Sequence, residues 1–440
     1  MSYQRKVCLQ VKSDFDSPQI KNCSSGNSDF EIHDVIGKNL FRNNAKMVAN
    51  SEIGFRIAQE QNMIGIRVVA SAGQNKLHDV DTGRNFVNLC SCSYLGLNSH
   101  PAVLQGGIDA LRSQGITGLS MAEYRIRLSI MEEVEEKLRS LFNGPILPAI
   151  SCSALTAGIL PLLASGHLTD GEPMVMVFDK CAHFSMAFIK PIIADETLVL
   201  TCPHNDMMYL EDICKKYPRV AYICDGVYSV GGVADLSALL SLQQRYGLFL
   251  YFDDSHSLSV EGKNGEGHVR SRLQELNEKT IIVASLAKAF GSTGGIAMLG
   301  SEKHFDFLYR TGPLGWSQSM RTAAIGTTLG SIKVHKSDEL ATLQSQLKLN
   351  IALFDGHIRT PQRDNGLNIK VIEVGDQEKA VHLAKALYER GFYCSPVFFP
   401  IVRKDKAGVR LMLRGDLPSE IVQAFVDQLK EVLAQMNVRH

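Results

Sequence analysis

Six short apolar runs recur between residues 174 and 300, each rich in β-branched or aromatic residues: MVMVFD (174–179), LVLTC (198–202), RVAYICD (219–225), LFLYFDD (248–254), TIIVASL (280–286) and GIAMLG (295–300). Helical or polar stretches separate them. The runs are continuously apolar rather than alternating, the pattern of strands whose sheet is covered on both faces. This rhythm predicts an α/β fold built on a large, doubly wound, mostly parallel sheet. Upstream, GGIDALRSQG (106–115) and RLSIMEEVEEKLRSLF (127–142) carry helical spacing with an acidic-to-basic gradient. A different rhythm begins near 368. There IKVIEV (369–374), the helical QEKAVHLAKALYERG (377–391), GVRLMLR (408–414) and an amphipathic stretch at 419–436 describe a smaller α+β domain. No internal repeat or low-complexity tract interrupts this order.

Composition narrows the function classes. Of 440 residues, 45% are apolar and 21% charged, as expected of a globular chain with a large core. Lys+Arg and Asp+Glu balance at 46 each, so charge points to neither nucleic acid nor an anionic membrane as partner. The best candidate for a membrane span, ALTAGILPLLASG (154–166), is too short and contains a proline. The start, MSYQRKVCLQVKSDFD, lacks the apolar centre of a secretory signal. Ten cysteines are scattered without CxxC pairs at zinc spacing, CSC (90–92) being the one tight pair. The expectation is a cytoplasmic protein with reduced thiols, no disulfide framework and no metal. Residues 1–45, with DFDSPQIKNCSSGNSD (14–29), read as a polar extension.

In open α/β sheets, ligands sit beyond the carboxyl ends of the strands. Those ends read DKCAHFS (179–185), DGVYSVGG (225–232), DDSHSLSVEG (253–262) and SLAKAFGSTGG (285–295). Singly, each has a plain structural explanation. A strand-end aspartate is commonly a helix cap or a turn residue, and Lys288 has the option of snorkelling from a strand–turn junction to the surface. The alternative for Lys288 is to hold a carbonyl cofactor as a Schiff base. Together the four ends offer what pyridoxal 5′-phosphate (PLP) requires: an amine for its aldehyde, a carboxylate for its pyridine nitrogen, a flat group for its ring and donors for its phosphate.

From about residue 85 to 430 the chain resembles the α-oxoamine synthase family of PLP enzymes. The resemblance is carried by SYLGLNSHP (93–101), HND (204–206), DGVYSVGG, DDSHSLSVEGKNGEGH (253–268) and SLAKAFGSTGG, in family order and at similar spacing. It implies a fold-type-I PLP enzyme, with a large PLP-binding α/β domain over 95–335 and a smaller α+β domain over 336–440. The segment 46–94 would pack with the small domain. It also implies roles: Lys288 as the Schiff-base lysine, Asp253 facing the pyridine nitrogen, His256 at the phenolic oxygen and His183 stacked on the ring. Ser229 matches a serine near the ring oxygen, and Asp225 an acidic position that supports the site. Asp254, next to Asp253, points to the other side and reads as structural. For the phosphate, SCSALTAGILPLL (151–163) offers a helix start at Cys152, Ser153 and Ala154, and Ser285 adds a hydroxyl. Arg410 aligns with the arginine that holds the amino-acid carboxylate, a pairing that its planar fork suits.

Three departures from the family pattern bear on substrate. Relatives usually carry Gly-aromatic at Cys152 and Ser153, and an asparagine at Cys92. The segment GITGLSMAEYRIRLSIMEEVEE (115–136) replaces a glycine-rich turn and histidine, with Met131 at the histidine position. Arg125 and Arg127 in that segment are either contacts for an acyl donor or ordinary solvated arginines. The resemblance implies condensation of an amino acid with an acyl thioester, on CoA or a carrier protein, with decarboxylation to an α-aminoketone. Another fold-type-I activity, such as an aminotransferase, is the alternative. A homodimer is implied as well, with GPLGWSQSM (312–320) matching a phosphate segment reached across the subunit boundary through Ser317 and Ser319.

Overall fold

The structure, a computed structural model, describes residues 44–70, 76–317 and 319–438. The polar extension expected over 1–45 therefore lies, up to residue 43, outside the described residues.

Seven strands form the large sheet: β1 (Ile146–Ala149), β2 (Val175–Asp179), β3 (Val199–Cys202), β4 (Val220–Asp225), β5 (Phe249–Asp253), β6 (Thr280–Ser285) and β7 (Gly295–Leu299), in the spatial order β1-β7-β6-β5-β4-β2-β3. The five strands β2 to β6 run parallel, and β7 is antiparallel to both β6 and β1. Six of the seven are the apolar runs of the sequence. The seventh, β1, escapes that reading because it is four residues long and contains Pro148, which an edge position tolerates.

Side chains alternate across the sheet, and the two faces build separate cores. Val177, Tyr222, Leu250, Phe252, Ile282 and Ala284 pack with the helices Ile130–Phe142, Met207–Lys216, Leu236–Tyr246 and Thr322–His335. Met176, Phe178, Ile223, Tyr251, Ile281 and Val283 face the helix Cys152–Ala164. That helix is the short apolar stretch of 154–166, buried inside the protein. Among the described residues no helix is long and apolar enough to cross a membrane.

A third core joins the two ends of the described chain. Ala58, Met63, Phe86 and Leu97 pack there with Ile369, Leu383, Val409 and Phe425. Asn85–Asn88 pairs in parallel with Phe392–Tyr393, a backbone link between segments some 300 residues apart in sequence. Beside it, β8 (Ile369–Gly375), β9 (Ser395–Val397) and β10 (Ala407–Met412) form an antiparallel sheet with β10 in the centre. Helix Gln377–Glu389 packs on it, and the closing helix Ser419–Gln435 packs against that helix and against Asp338–His357. The arrangement sets the central strand β10 opposite the carboxyl ends of β4 to β6.

Candidate active site

Parallel pairing fixes the floor of the site. Asp225 ends β4, Asp253 ends β5, and the two are direct register partners. Both are buried. Asp253 Oδ1 accepts from Ser255 N at 3.0 Å, and its Oδ2 lies 3.8 Å from Cys152 Sγ at the start of the helix across the sheet. Ser255 Oγ accepts from Ser285 N at 2.8 Å and donates to the same sulfur at 3.8 Å. One hydroxyl thus ties β5, β6 and the helix start together. Ser255 was not singled out in the sequence. Its signal was a small polar residue two after a strand-end aspartate, the position that closes an Asx turn.

The imidazoles are placed by different means. His183 N donates to Asp225 Oδ2 at 2.8 Å, and His183 Nδ1 accepts from Ser185 N at 3.2 Å. Nε2 then carries the proton of the neutral ring. His183 is exposed, so its ring stays accessible. His256 is buried and hydrogen-bonds Tyr94 Oη through Nδ1 at 2.5 Å. Tyr94 belongs to the quoted SYLGLNSHP motif but received no role there. Burial, and after it the Lys288 ammonium, pushes the His256 imidazole well below its usual range.

Lys288 is half-buried; its carbonyl accepts from Gly291 N at 3.0 Å, and its side chain makes no hydrogen bond or ion pair with the described residues. Its charge acts on Cys152, His183, Asp225 and His256 together, which locates it among them. Burial first, then the Asp253 carboxylate, pushes Asp225 well above the usual carboxylate range. Two buried carboxylates side by side call for further positive charge.

Opposite this floor, Arg410 projects from β10. Its Nη1 donates to the Ser229 carbonyl at 3.0 Å, while its Nε is buried without a partner. No carboxylate among the described residues pairs with it. Ser229 thus meets Arg410 through its backbone. Asp254 behaves as expected of a structural residue, with Oδ2 accepting from Val269 N at 2.9 Å on the far side of β5.

At the helix start the geometry narrows the expected cradle. Ser151 Oγ accepts from Ala154 N at 3.0 Å, so the Ala154 amide is already spent on the helix cap. The Cys152 and Ser153 amides make no hydrogen bond among the described residues, and they remain the open donors. Gly295 makes room for them, since a Cβ there would stand 2.4 Å from Cys152 N. Ser285 Oγ accepts from Ala287 N at 3.2 Å, leaving its proton available.

In the departing segment Arg127 and Met131 turn inward, while Tyr124, Arg125 and Ile126 are exposed. Arg127 pairs with buried Glu123 at 3.2 Å and also with Glu135, and it lies 5.4 Å over the Tyr309 ring. Met131 is buried in the core. Arg125 stacks on exposed Tyr124, which packs against Trp316 at 4.7 Å. The backbone of the 312–320 loop joins the same segment, with Glu123 N donating to the Ser317 carbonyl at 3.1 Å.

A family model described as aminotransferase class I and II matches residues 204–429, just over half of the chain. The chain belongs to that family. Two sequence relatives are similar over nearly their whole lengths. An 8-amino-7-oxononanoate synthase of Alkaliphilus metalliredigens is 29% identical over 385 residues, covering 83% of this chain and 92% of that protein. A serine palmitoyltransferase of Bacteriovorax stolpii is 28% identical over 363 residues, covering 79% and 83% respectively. The α-oxoamine synthase resemblance read from the motifs is borne out. Among solved structures, an SPT structure with PLP matches with a TM-score of 0.77 at 19% identity, over 88% of this chain and 99% of its own. At that identity the likeness establishes the fold, which is fold type I.

Proposed function

We propose that the protein is a PLP-dependent acyltransferase of the α-oxoamine synthase type, condensing an amino acid with an acyl thioester of CoA or a carrier protein to give an α-aminoketone. The observation that carries this reading is Lys288, unpartnered and set against the buried pair Asp225 and Asp253. The residues present fit PLP. The carboxylate pair invites a cationic ring, the Cys152 and Ser153 amides are open at a helix start, and the donor set matches the cofactor's groups. When bound, PLP supplies an electron sink for negative charge at the amino acid's α-carbon.

The chain's own residues divide the remaining work. Lys288 Nζ would hold the cofactor's carbonyl carbon and supply a base for the α-proton. The Asp253 carboxylate would keep a proton on the ring nitrogen. His183, with Nε2–H as its free donor, and His256 with Tyr94 would hold the ring. Arg410 takes the amino-acid carboxylate into its open guanidinium face, which also satisfies the buried Nε.

In this reading two copies work together. Leu104, Ile108 and Leu111 form an exposed apolar stripe along Pro101–Gln114, and Trp316 and Tyr124 are exposed as well, surfaces suited to a second copy that would bring Ser317 and Ser319 toward the neighbouring phosphate. The cysteines, free of disulfides among the described residues, suit a reducing cytoplasm.

The test mixes the enzyme with a panel of amino acids and acyl-CoA thioesters and follows free thiol. Thiol release should require both substrates and vanish in Lys288→Ala, while borohydride should fix the cofactor to the peptide containing residue 288. Amino transfer to a 2-oxo acid without thioester consumption would identify an aminotransferase instead.

A further inference from the structure

Beside the active site, one cluster joins three different ligand chemistries. Asp179 ends β2, Cys181 follows in the next turn, and His204 follows β3; their ligand atoms all lie within 4.8 Å of one another. Asp179 is buried, whereas Cys181 and His204 are exposed, so the cluster is open to solvent on one side. The Asp179 carboxylate is fixed by Cys181 N at 2.7 Å, Tyr222 Oη at 2.7 Å, Asn205 N at 3.1 Å and His204 Nδ1 at 3.0 Å. The Tyr228 ring packs edge-on against His204 at 4.5 Å and sets the plane of the imidazole.

We propose that Asp179, Cys181 and His204 form a binding site for a divalent ion of the zinc class, with water at the open fourth position. Zinc bonds of about 2.0–2.1 Å to oxygen and nitrogen put two tetrahedral ligands roughly 3.3 Å apart. His204 Nδ1 stands 3.0 and 3.3 Å from the two Asp179 oxygens, so an ion fits where the Nδ1 proton now bridges them. The exchange gives up one of four bonds to the carboxylate and leaves the Tyr222, Asn205 and Cys181 donors in place. The Cys181 backbone is already pinned, its own amide on Asp179 Oδ1 and the following amide on the Asp179 carbonyl. Rotation of the Cys181 side chain is all that remains to bring sulfur to a bonding distance of about 2.3 Å.

A thiolate, an imidazole and a carboxylate together select zinc over magnesium or calcium, which prefer oxygen alone. Binding releases one proton from Cys181 Sγ and one from His204 Nδ1. The ion would tie the ends of β2 and β3 to the turn that leads into His183. No CxxC spacing announces such a site, since its ligands come from two loops 23 residues apart in sequence.

The test uses the full chain stripped with a chelator, loaded with Zn²⁺ and passed through gel filtration. Wild type should retain about one zinc per chain, and Co²⁺ in its place should give the intense visible bands of tetrahedral cobalt. Cys181→Ala, which changes an exposed side chain and spares the Asp179–His204 bond, should retain less than a tenth of the zinc and lose the cobalt bands. Cys23→Ala should behave as wild type, separating the site from general thiol scavenging. Equal retention by wild type and Cys181→Ala, or none by wild type, overturns the site.

Discussion

On the floor of the cleft, Asp253, Ser255, Cys152 and Ser285 hold one another through a closed set of contacts. Across from it, Arg410 hangs from a single carbonyl and keeps its Nε buried and empty. The contrast separates two tasks. A group that stays bound through every turnover is served by donors and carboxylates fixed beforehand, which cost no reorganisation during reaction. A substrate that arrives and leaves is served by a donor whose unmet hydrogen bonds are satisfied only on binding. Within the floor, Asp253, Ser255 and Ser285 sit in stretches that carry the family resemblance, whereas Cys152 is one of the departures from it. The departure at Cys92 lies beside Tyr94, the partner of His256.

The largest effect expected from breaking the floor is at Asp253. Asp253→Asn preserves shape and the turn to Ser255 but removes the charge proposed to keep the ring nitrogen protonated. The variant should still bind cofactor, yet exchange the substrate's α-proton with solvent at least a hundredfold more slowly, on the order of 3 kcal/mol. An unchanged exchange rate would remove the electronic role from the floor and leave it a packing role only.

The floor also has a dry back. Ser331 Oγ donates to the Phe290 carbonyl at 2.6 Å just behind the Lys288 turn, and His335 packs on Phe290 with ring centroids 4.6 Å apart. His335 Nδ1 donates to the Ser331 carbonyl and Nε2 accepts from Ser259 Oγ, each at 2.8 Å, so the neutral ring is satisfied on both sides. Burial pushes this imidazole down to about 4. In the unfolded chain it would titrate near its ordinary value, so between about 6.5 and 4 the unfolded state binds the extra proton. Stability is therefore full above about 6.5 and declines as pH falls through 4, by about 3 kcal/mol from this residue. Urea midpoints at pH 7 and pH 4.5 should show that loss in wild type, and His335→Gln should flatten it. The same pH slope in both chains would rule His335 out as its source.

The sequence was legible where the physics is local and periodic. Continuous apolar runs gave six of seven strands, and the residues just beyond them gave Asp225, Asp253, His183, His256 and Lys288, because a parallel sheet sends successive strand ends to one edge. What escaped depended on which side chains actually meet, in part between distant segments. Tyr94 reaches His256 across 162 residues, and Ser255 matters because Cys152 and Ser285 converge on it. Ala154 looked like a phosphate donor because spacing alone does not reveal that Ser151 claims its amide. Arg127, open in the sequence between a substrate contact and an ordinary solvated arginine, is held by Glu123 and Glu135 of its own segment and by the Tyr309 ring.

On the opposing wall the expected effects are smaller. Arg410→Lys keeps the charge and loses the planar fork, so the amino-acid KM should rise about tenfold to a hundredfold while cofactor absorbance stays as in wild type. A KM increase confined to the thioester would assign Arg410 to the wrong substrate and weaken the contrast between floor and wall.

Arg127 gives the smallest effect and the sharpest test of where the wall ends. Its guanidinium neutralises Glu123, which is only 6% exposed, as well as Glu135. Burial already pushes Glu123 above the usual carboxylate range, held back by the Arg127 charge. Truncation to Ala leaves two carboxylates facing each other, one of them buried, a loss of about 2 kcal/mol in stability. Because Glu123 can escape by taking up a proton, the deficit should shrink as pH falls. Arg125→Ala, removing a group stacked on exposed Tyr124, should change stability by no more than about 0.5 kcal/mol. Neither variant should move KM for amino acid or thioester by more than about twofold, since Arg127 is held by Glu123, Glu135 and the Tyr309 ring and Arg125 by Tyr124. Thermal unfolding and steady-state kinetics on the same preparations decide the matter. A tenfold rise in thioester KM for Arg127→Ala at unchanged stability would return the 115–136 segment to the substrate wall, and the internal ion pairs would then be a resting arrangement that substrate replaces.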